Sequence, residues 1–318
     1  MSRIHEALKK AEQERAASQG GPHQPNYAAP APAELTAMPM PEERPSEVGI
    51  GYPSNGERPL TSAMPSFGGT FNLDTLMARC APQPWAPDER TMLFFNGDDS
   101  ARGVEEFRTL RSRLYSAREK MALKKILVTS ALPKEGKSFT AANLAQVLAR
   151  QHGRRVLLID ADLRGPRLHL MLGTTSSPGL ADYLQGASDE FSIIQRAPME
   201  NLFFIPSGHE ISDPAELVAN GRLRILLQRV EPLFEWIIVD SPPAVPVSDS
   251  SVLAKSCDGV LLVVRSNETP VDMARRARQE FPEETLIGVV LNGALPDALP
   301  YTRYYYDEAP KNTIESKA

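Results

Sequence analysis

Beyond residue 120 the chain alternates two hydrophobic rhythms. Continuous apolar runs at residues 125–129, 155–160, 202–205, 236–240, 260–265 and 286–291 have the length of strands. Between them lie segments with helical spacing, at 137–151, 214–230, 249–255 and 269–281. Pro214 falls in the first turn of one of these, where a missing N–H is tolerated. Runs of Val, Ile and Leu without polar alternation belong to strands covered on both faces. Strands that alternate with helices then form a mostly parallel sheet with helices on both faces. The fold class is α/β, and a charged helix at 103–119 leads into it, with the folded core beginning near Ser100.

The N-terminal part reads differently. Ile4, Ala7, Leu8 and Ala11 mark a short amphipathic helix at residues 1–18, with Ser2 able to cap it. Such a helix is marginal alone in water, so it is either a docking peptide or a terminus that packs on nothing. Between residues 19 and 88 lie thirteen of the 28 prolines, mixed with Gly, Ala, Ser and Glu, and periodicity is lost. That composition buries too little apolar surface to offset the entropy of ordering, so 19–99 is expected to be a disordered Pro-rich linker. A small apolar island at 71–77 is the one interruption, a helical turn or a second docking element. The α/β domain is assigned to 100–298 and a tail to 299–318.

Composition narrows the function classes. A net charge of −5 with no basic block offers nucleic acid no electrostatic footprint. Cys80 and Cys257 have neither disulfide nor metal-ligand spacing, which fits a reducing cytoplasm. The longest apolar runs are strand-sized, so no transmembrane segment is expected.

The chemistry sits at the C-terminal ends of the strands, where open α/β sheets bind ligands. Residues 129–138, Thr-Ser-Ala-Leu-Pro-Lys-Glu-Gly-Lys-Ser, lie between a strand and a helix, the setting a phosphate loop requires. Pro133, Lys134, Glu135, Gly136 and Phe139 frame the loop and the helix start, whose backbone N–H groups can cradle phosphates. Lys137 can neutralise phosphate oxygens and the Ser138 hydroxyl can ligate Mg²⁺. The strict pattern fails at its first glycine, which is Ala131. Asp160 and Asp162 end one strand and Asp240 ends another. Singly, each is more often a turn or cap aspartate. Together beside a phosphate loop they supply the oxygen ligands that Mg²⁺ with an ATP tail needs.

Ser130–Ser138, Asp160-x-Asp162-x-Arg164 and Asp240-Ser-Pro-Pro243, with the tyrosines Tyr301, Tyr304, Tyr305 and Tyr306, resemble the bacterial tyrosine kinases of capsule and exopolysaccharide synthesis. That family is built on the fold of the MinD/ParA-type P-loop ATPases. The resemblance runs from residue 101 to 308. It implies Lys137 on phosphate, Ser138 on Mg²⁺, and Asp162 and Asp240 near the metal. One of the first two carboxylates would be base or orienter for the attacking phenol, Asp160 before Asp162. Asn292 falls where relatives face the adenine edge, though a polar strand-end residue in a turn is as good a reading. Lys134 stands where the family has glycine. A Lys held at positive φ there would cost on the order of 1 kcal/mol.

The tail tyrosines follow Pro300 and precede Asp307 and Glu308. Three consecutive tyrosines cannot all face one core, so the cluster reads as exposed phosphoacceptors. Glu105, Arg108 and Arg111 match the family's E-x-x-R-x-x-R element. Their spacing alone supports a solvated face with an i, i+3 ion pair; the resemblance implies a homo-oligomeric ring. It also implies activation by the cytoplasmic segment of a membrane polysaccharide co-polymerase, which would recruit the chain to the inner face of the plasma membrane. A MinD/ParA-like positioning ATPase is disfavoured, because its signature lysine would fall at Leu132. A nucleotide-bound scaffold is the non-enzyme alternative.

Overall fold

The computed structural model describes residues 72–80, 82–95 and 103–294. The expected helix at 1–18, much of the expected linker and the four tail tyrosines lie outside these residues. The rest builds a seven-stranded sheet in the order β3-β4-β2-β5-β1-β6-β7. The strands are β1 (Lys125–Ser130), β2 (Val156–Asp160), β3 (Gln195–Arg196), β4 (Leu202–Ile205), β5 (Trp236–Asp240), β6 (Gly259–Arg265) and β7 (Leu286–Asn292). Every pairing is parallel except that of the short edge strand β3 with β4. β2 and β5 are buried at every residue, as their unbroken apolar runs require.

Alternate strand residues feed two cores. Leu127, Leu157, Ile159 and Val239 enter one; Ile126, Val128, Leu158 and Ile238 enter the other. The first core is covered by α5 (Leu180–Gln185), α7 (Arg222–Val230) and α8 (Asp249–Ala254), and by Ala277 of α9 (Val271–Gln279). The second is covered by α2 (Val104–Arg118) and α3 (Lys137–Ala149). In α3 every residue except Phe139 is buried. Its alanines 141, 142, 145 and 149 sit in the core. The helix that begins at the phosphate loop is therefore clamped along its whole length.

Three expectations need correction. The helix expected over 214–230 is two helices, α6 (Pro214–Ala219) and α7. Gly221 turns the chain between them at φ 79°, a conformation only glycine adopts without strain. Asn220 holds the break, accepting from Arg222 N–H and donating to the Leu184 carbonyl, each at 3.0 Å. Helices α4 (Leu168–Leu172) and α5, with strand β3, were not expected at all. Finally, residues 72–80 and 82–95 do not belong to a linker. They begin with α1 (Leu73–Arg79), capped by Asn72. Leu76 and Cys80 join the first core, Met92 and Phe94 the second.

Candidate nucleotide site

β1 ends in the loop 131–136, which hands over to α3 at Lys137. Lys134 occupies the left-handed region at φ 68°, the position where the resemblance led us to expect glycine. Glu135 turns inward and is buried, bracing the loop from behind. Its carboxylate accepts from the Leu132 N–H at 2.9 Å and from the Thr269 hydroxyl. Asn292 donates to the Glu135 carbonyl at 2.9 Å. Glu135 and Asn292 thus fix the loop; neither side chain lines the adjoining cavity.

That cavity has a volume of about 760 Å³. Pro133, Lys134, Gly136, Lys137, Ser138 and Phe139 form its floor. Asp162 and Arg164 from the β2 loop and Pro242 and Pro243 from the β5 loop form walls. The β5 loop is tied down because the Pro242 carbonyl accepts from three hydroxyls, those of Thr129 (2.8 Å), Ser250 (2.6 Å) and Ser241 (3.2 Å). Arg164 is fixed by a two-point contact with Asp249 of α8, at 2.7 and 3.1 Å.

The electrostatic centre is Lys137. Its ammonium lies 2.6 Å from Asp162 and donates to the Ser138 hydroxyl at 3.3 Å. Burial works against its charge, yet Asp240, Asp162 and Asp160 more than offset this and hold its pKa above the usual lysine value. The three carboxylates differ in role. Asp160 is fully buried and is absent from the cavity wall; it accepts from the Leu168 N–H at 3.1 Å and the Asp162 N–H at 3.3 Å. Burial, then the charge of Asp240, pushes its pKa well above the carboxylate range. The two carboxylates that the sequence left unseparated thus differ in position. Asp162 is the carboxylate that reaches the cavity.

Asp240 is fully buried and neither of its oxygens has a hydrogen-bond partner. Burial pushes its pKa up to about 6, against the opposing pull of Lys137 and Ser138. An orphaned carboxylate next to a phosphate-loop hydroxyl fits a hard divalent cation with oxygen ligands. Among the described residues no three His, Cys, Asp or Glu side chains form a metal cage by themselves. Mg²⁺ in phosphate loops is held by one or two protein oxygens together with substrate phosphates and water.

Sequence reasoning missed Arg167, Leu170, Met171, Pro246 and Val247 of the cavity wall, and also Asp88. Arg164 carried a signal through its motif. Asp88 carried none, because it lies in a proline-rich span. Glu105 and Arg108 of α2 form the expected i, i+3 ion pair. Arg111 instead donates to the Val147 carbonyl of α3 at 3.2 Å.

A phosphate loop opening onto carboxylates from two neighbouring strands defines a phosphate-loop nucleotide-binding domain. A family model described as an AAA domain matches residues 124–272. The chain belongs to the family of bacterial tyrosine kinases: tyrosine-protein kinase YwqD of Bacillus subtilis is 35% identical over 191 residues, 59% of this chain and 80% of YwqD. Tyrosine-protein kinase etk of Escherichia coli is 33% identical over 213 residues, which is 66% of this chain but only 29% of etk. The solved kinase domain of Escherichia coli tyrosine kinase ETK aligns with a TM-score of 0.59 at 32% identity, covering 63% of this chain and 80% of that domain. Among the described residues no helix is long and apolar enough to cross a membrane.

Proposed function

We propose that this chain is an ATP-dependent protein-tyrosine autokinase that phosphorylates Tyr301, Tyr304, Tyr305 and Tyr306 of a neighbouring copy and thereby regulates exopolysaccharide synthesis and export. The observation that carries this reading is the Lys137–Asp162 pair at the cavity, beside the buried Asp240, whose carboxylate oxygens accept no hydrogen bond of good geometry. Such a site has its charges in place before substrate arrives, so little reorganisation is needed when phosphate charge shifts.

In this reading the backbone of the loop and the Lys137 ammonium hold the terminal phosphates. Ser138 would hold Mg²⁺ directly, with Asp162 and Asp240 supporting it, and the ion neutralises charge on the transferring group when bound. Asp162, free to exchange Lys137 for a phenol hydroxyl, orients the incoming tyrosine. Positioning and charge neutralisation supply most of the catalysis. Glu105, Arg108 and Arg111 would join neighbours into a ring. The cytoplasmic end of a membrane polysaccharide co-polymerase would raise activity and keep the chain at the inner face of the plasma membrane.

The test is transfer of γ-labelled phosphate from ATP, read by phosphotyrosine detection. Kinase carrying four Tyr→Phe changes at 301, 304, 305 and 306 should label Lys137→Met protein, which offers an intact tail and a disabled site. Absence of labelling in that mixture, with co-polymerase segment added, would sink the proposal.

A further inference from the structure

Residues 82–95 form a strap over the nucleotide domain. Pro82 bridges to Arg196 of the edge strand β3, and the Gln83 N–H donates to the Arg196 carbonyl at 3.1 Å. The strap then follows α4: the Ala86 N–H donates to Gly173 (3.1 Å) and the Asp88 N–H to Met171 (3.0 Å). Beyond Asp88 it crosses α3. There the Asn143 amide closes a two-way clamp, accepting from Leu93 N–H and donating to the Thr91 carbonyl, each at 2.8 Å.

Two features tie this strap to the cavity. Asp88 is itself part of the cavity wall, and its carboxylate accepts from the Arg90 N–H at 3.0 Å and the Thr91 hydroxyl at 3.2 Å, which stiffens the strap where it meets the cavity. The Asn143 amide also donates to the Phe139 carbonyl at 3.0 Å, and Phe139 lines the cavity from the first turn of α3. A chain of edge-on rings repeats the link, Phe94 to Phe107 at 6.2 Å and Phe107 to Phe139 at 5.8 Å. Asn143 is fully buried, as is Gln146 three residues on, in a helix buried along nearly its whole length. A buried amide survives there only because strap and helix satisfy it together. Gly173 makes the same point from outside: a Cβ at that position would lie 2.0 Å from the Ala86 carbonyl. The strap seats only where a side chain is missing.

We propose that docking of the strap and filling of the nucleotide cavity are linked, each favouring the other, with Asn143 and Asp88 as positioning residues. The inference rests on the nucleotide reading of the cavity and not on transfer to tyrosine. Linkage makes the effect reciprocal: a ligand that tightens the strap must bind less well when the strap is loosened.

Hydrogen exchange on the full chain tests this, with and without Mg²⁺ and a non-hydrolysable ATP analogue. The analogue should slow exchange of the Ala86, Asp88 and Leu93 amides by roughly five- to tenfold. Asn143→Ala and Gly173→Ala should weaken analogue binding by a similar factor, about five- to tenfold. Gly173→Ala acts on the strap without touching α3, so it serves if Asn143→Ala fails to fold. A merely structural clamp would lower the melting temperature while leaving analogue affinity and strap exchange uncoupled, and that result overturns the proposal. If the unaltered chain bound no analogue, the nucleotide reading itself would fall, and the linkage with it.

Discussion

Asp160 and Asp240 are register partners across β2 and β5, and both are fully buried. Their carboxyls bind protons more tightly in the folded chain than in the unfolded one; for Asp240 the pKa rises from 3.8 to about 6. The native state therefore gains stability from this pair at low pH and loses it as pH rises, for Asp240 between about 4 and about 6. Asp240→Asn removes a charge that burial penalises. Without nucleotide it should be more stable than the parent at pH 7.5, by on the order of 1–3 kcal/mol, with a smaller difference at pH 5. Mg²⁺-dependent nucleotide binding should be lost in the same variant. Melting curves at both pH values check this; a lower melting temperature at pH 7.5 would contradict it.

Lys137→Met should abolish phosphotransfer, with a loss of at least about a hundredfold, because no other described cation touches Asp162 on the cavity floor. The helix it opens is buried along its length, so the fold should persist. Circular dichroism beside the labelling assay separates lost chemistry from lost structure. Wild-type turnover in a folded variant would dismiss the site assignment.

Lys134 holds φ at 68°. Lys134→Gly and Lys134→Ala both delete its charge, but only glycine relieves the backbone. Glycine recovers about 1–2 kcal/mol of left-handed strain and gives back about 0.5–1 in unfolded-state entropy. The glycine variant should thus equal or exceed the alanine variant in stability. Urea titration of the pair decides it, and a clearly more stable alanine variant would show that the loop does not hold this conformation in solution.

Arg108 and Arg111 should respond differently to alanine. Arg108 pairs with Glu105 on an exposed helical face, a contact worth a few tenths of a kcal/mol. Arg111 holds α2 to α3 through the Val147 carbonyl, worth about 0.5–1.5 kcal/mol. Arg108→Ala should lower the mass of the assembly, whereas Arg111→Ala should in addition lower the melting temperature by loosening α2 from α3. Light scattering and calorimetry on the two variants give the comparison. An unchanged assembly in both would remove α2 from the ring interface.

Four phosphotyrosines would add roughly −6 to −8 charges beside Asp307 and Glu308. Such a tail repels itself within a Debye length of about 8 Å and repels the carboxylates of a neighbour's site, Asp162 foremost. Dephosphorylated protein should form rings and phosphorylated protein should be monomeric. Equal masses in both states would rule out the switch and leave the kinase reading intact.

The strands and the phosphate loop were legible because they depend on local pattern: unbroken apolar runs, and Gly-Lys-Ser between a strand and a helix. What escaped depends on distant partners. Helix α4 has five residues and is anchored by the Leu168 N–H on Asp160, a bond no periodicity encodes. Leu76, Cys80, Met92 and Phe94 lie among prolines, and their burial becomes visible only once the distant elements they pack on exist, α2 and α3 for Met92 and Phe94. Asp160 and Asp162 looked interchangeable in sequence. Backbone donors on both sides of the loop separate them, fixing one inside and leaving the other at the cavity.

Strand β5 lies between β1 and β2, which share no edge of their own. On the ribosome, the segments bearing Lys137 and Asp162 are made well before Trp236–Asp240 arrives to join them. A nascent chain stopped short of residue 236 holds its whole phosphate loop and still has no site. On the proposed nucleotide reading, ligand would stabilise the finished sheet by mass action on the native state. Late insertion of a central strand is a slow, long-range event. The order of synthesis thus places completion of the proposed site after the middle of the domain is closed.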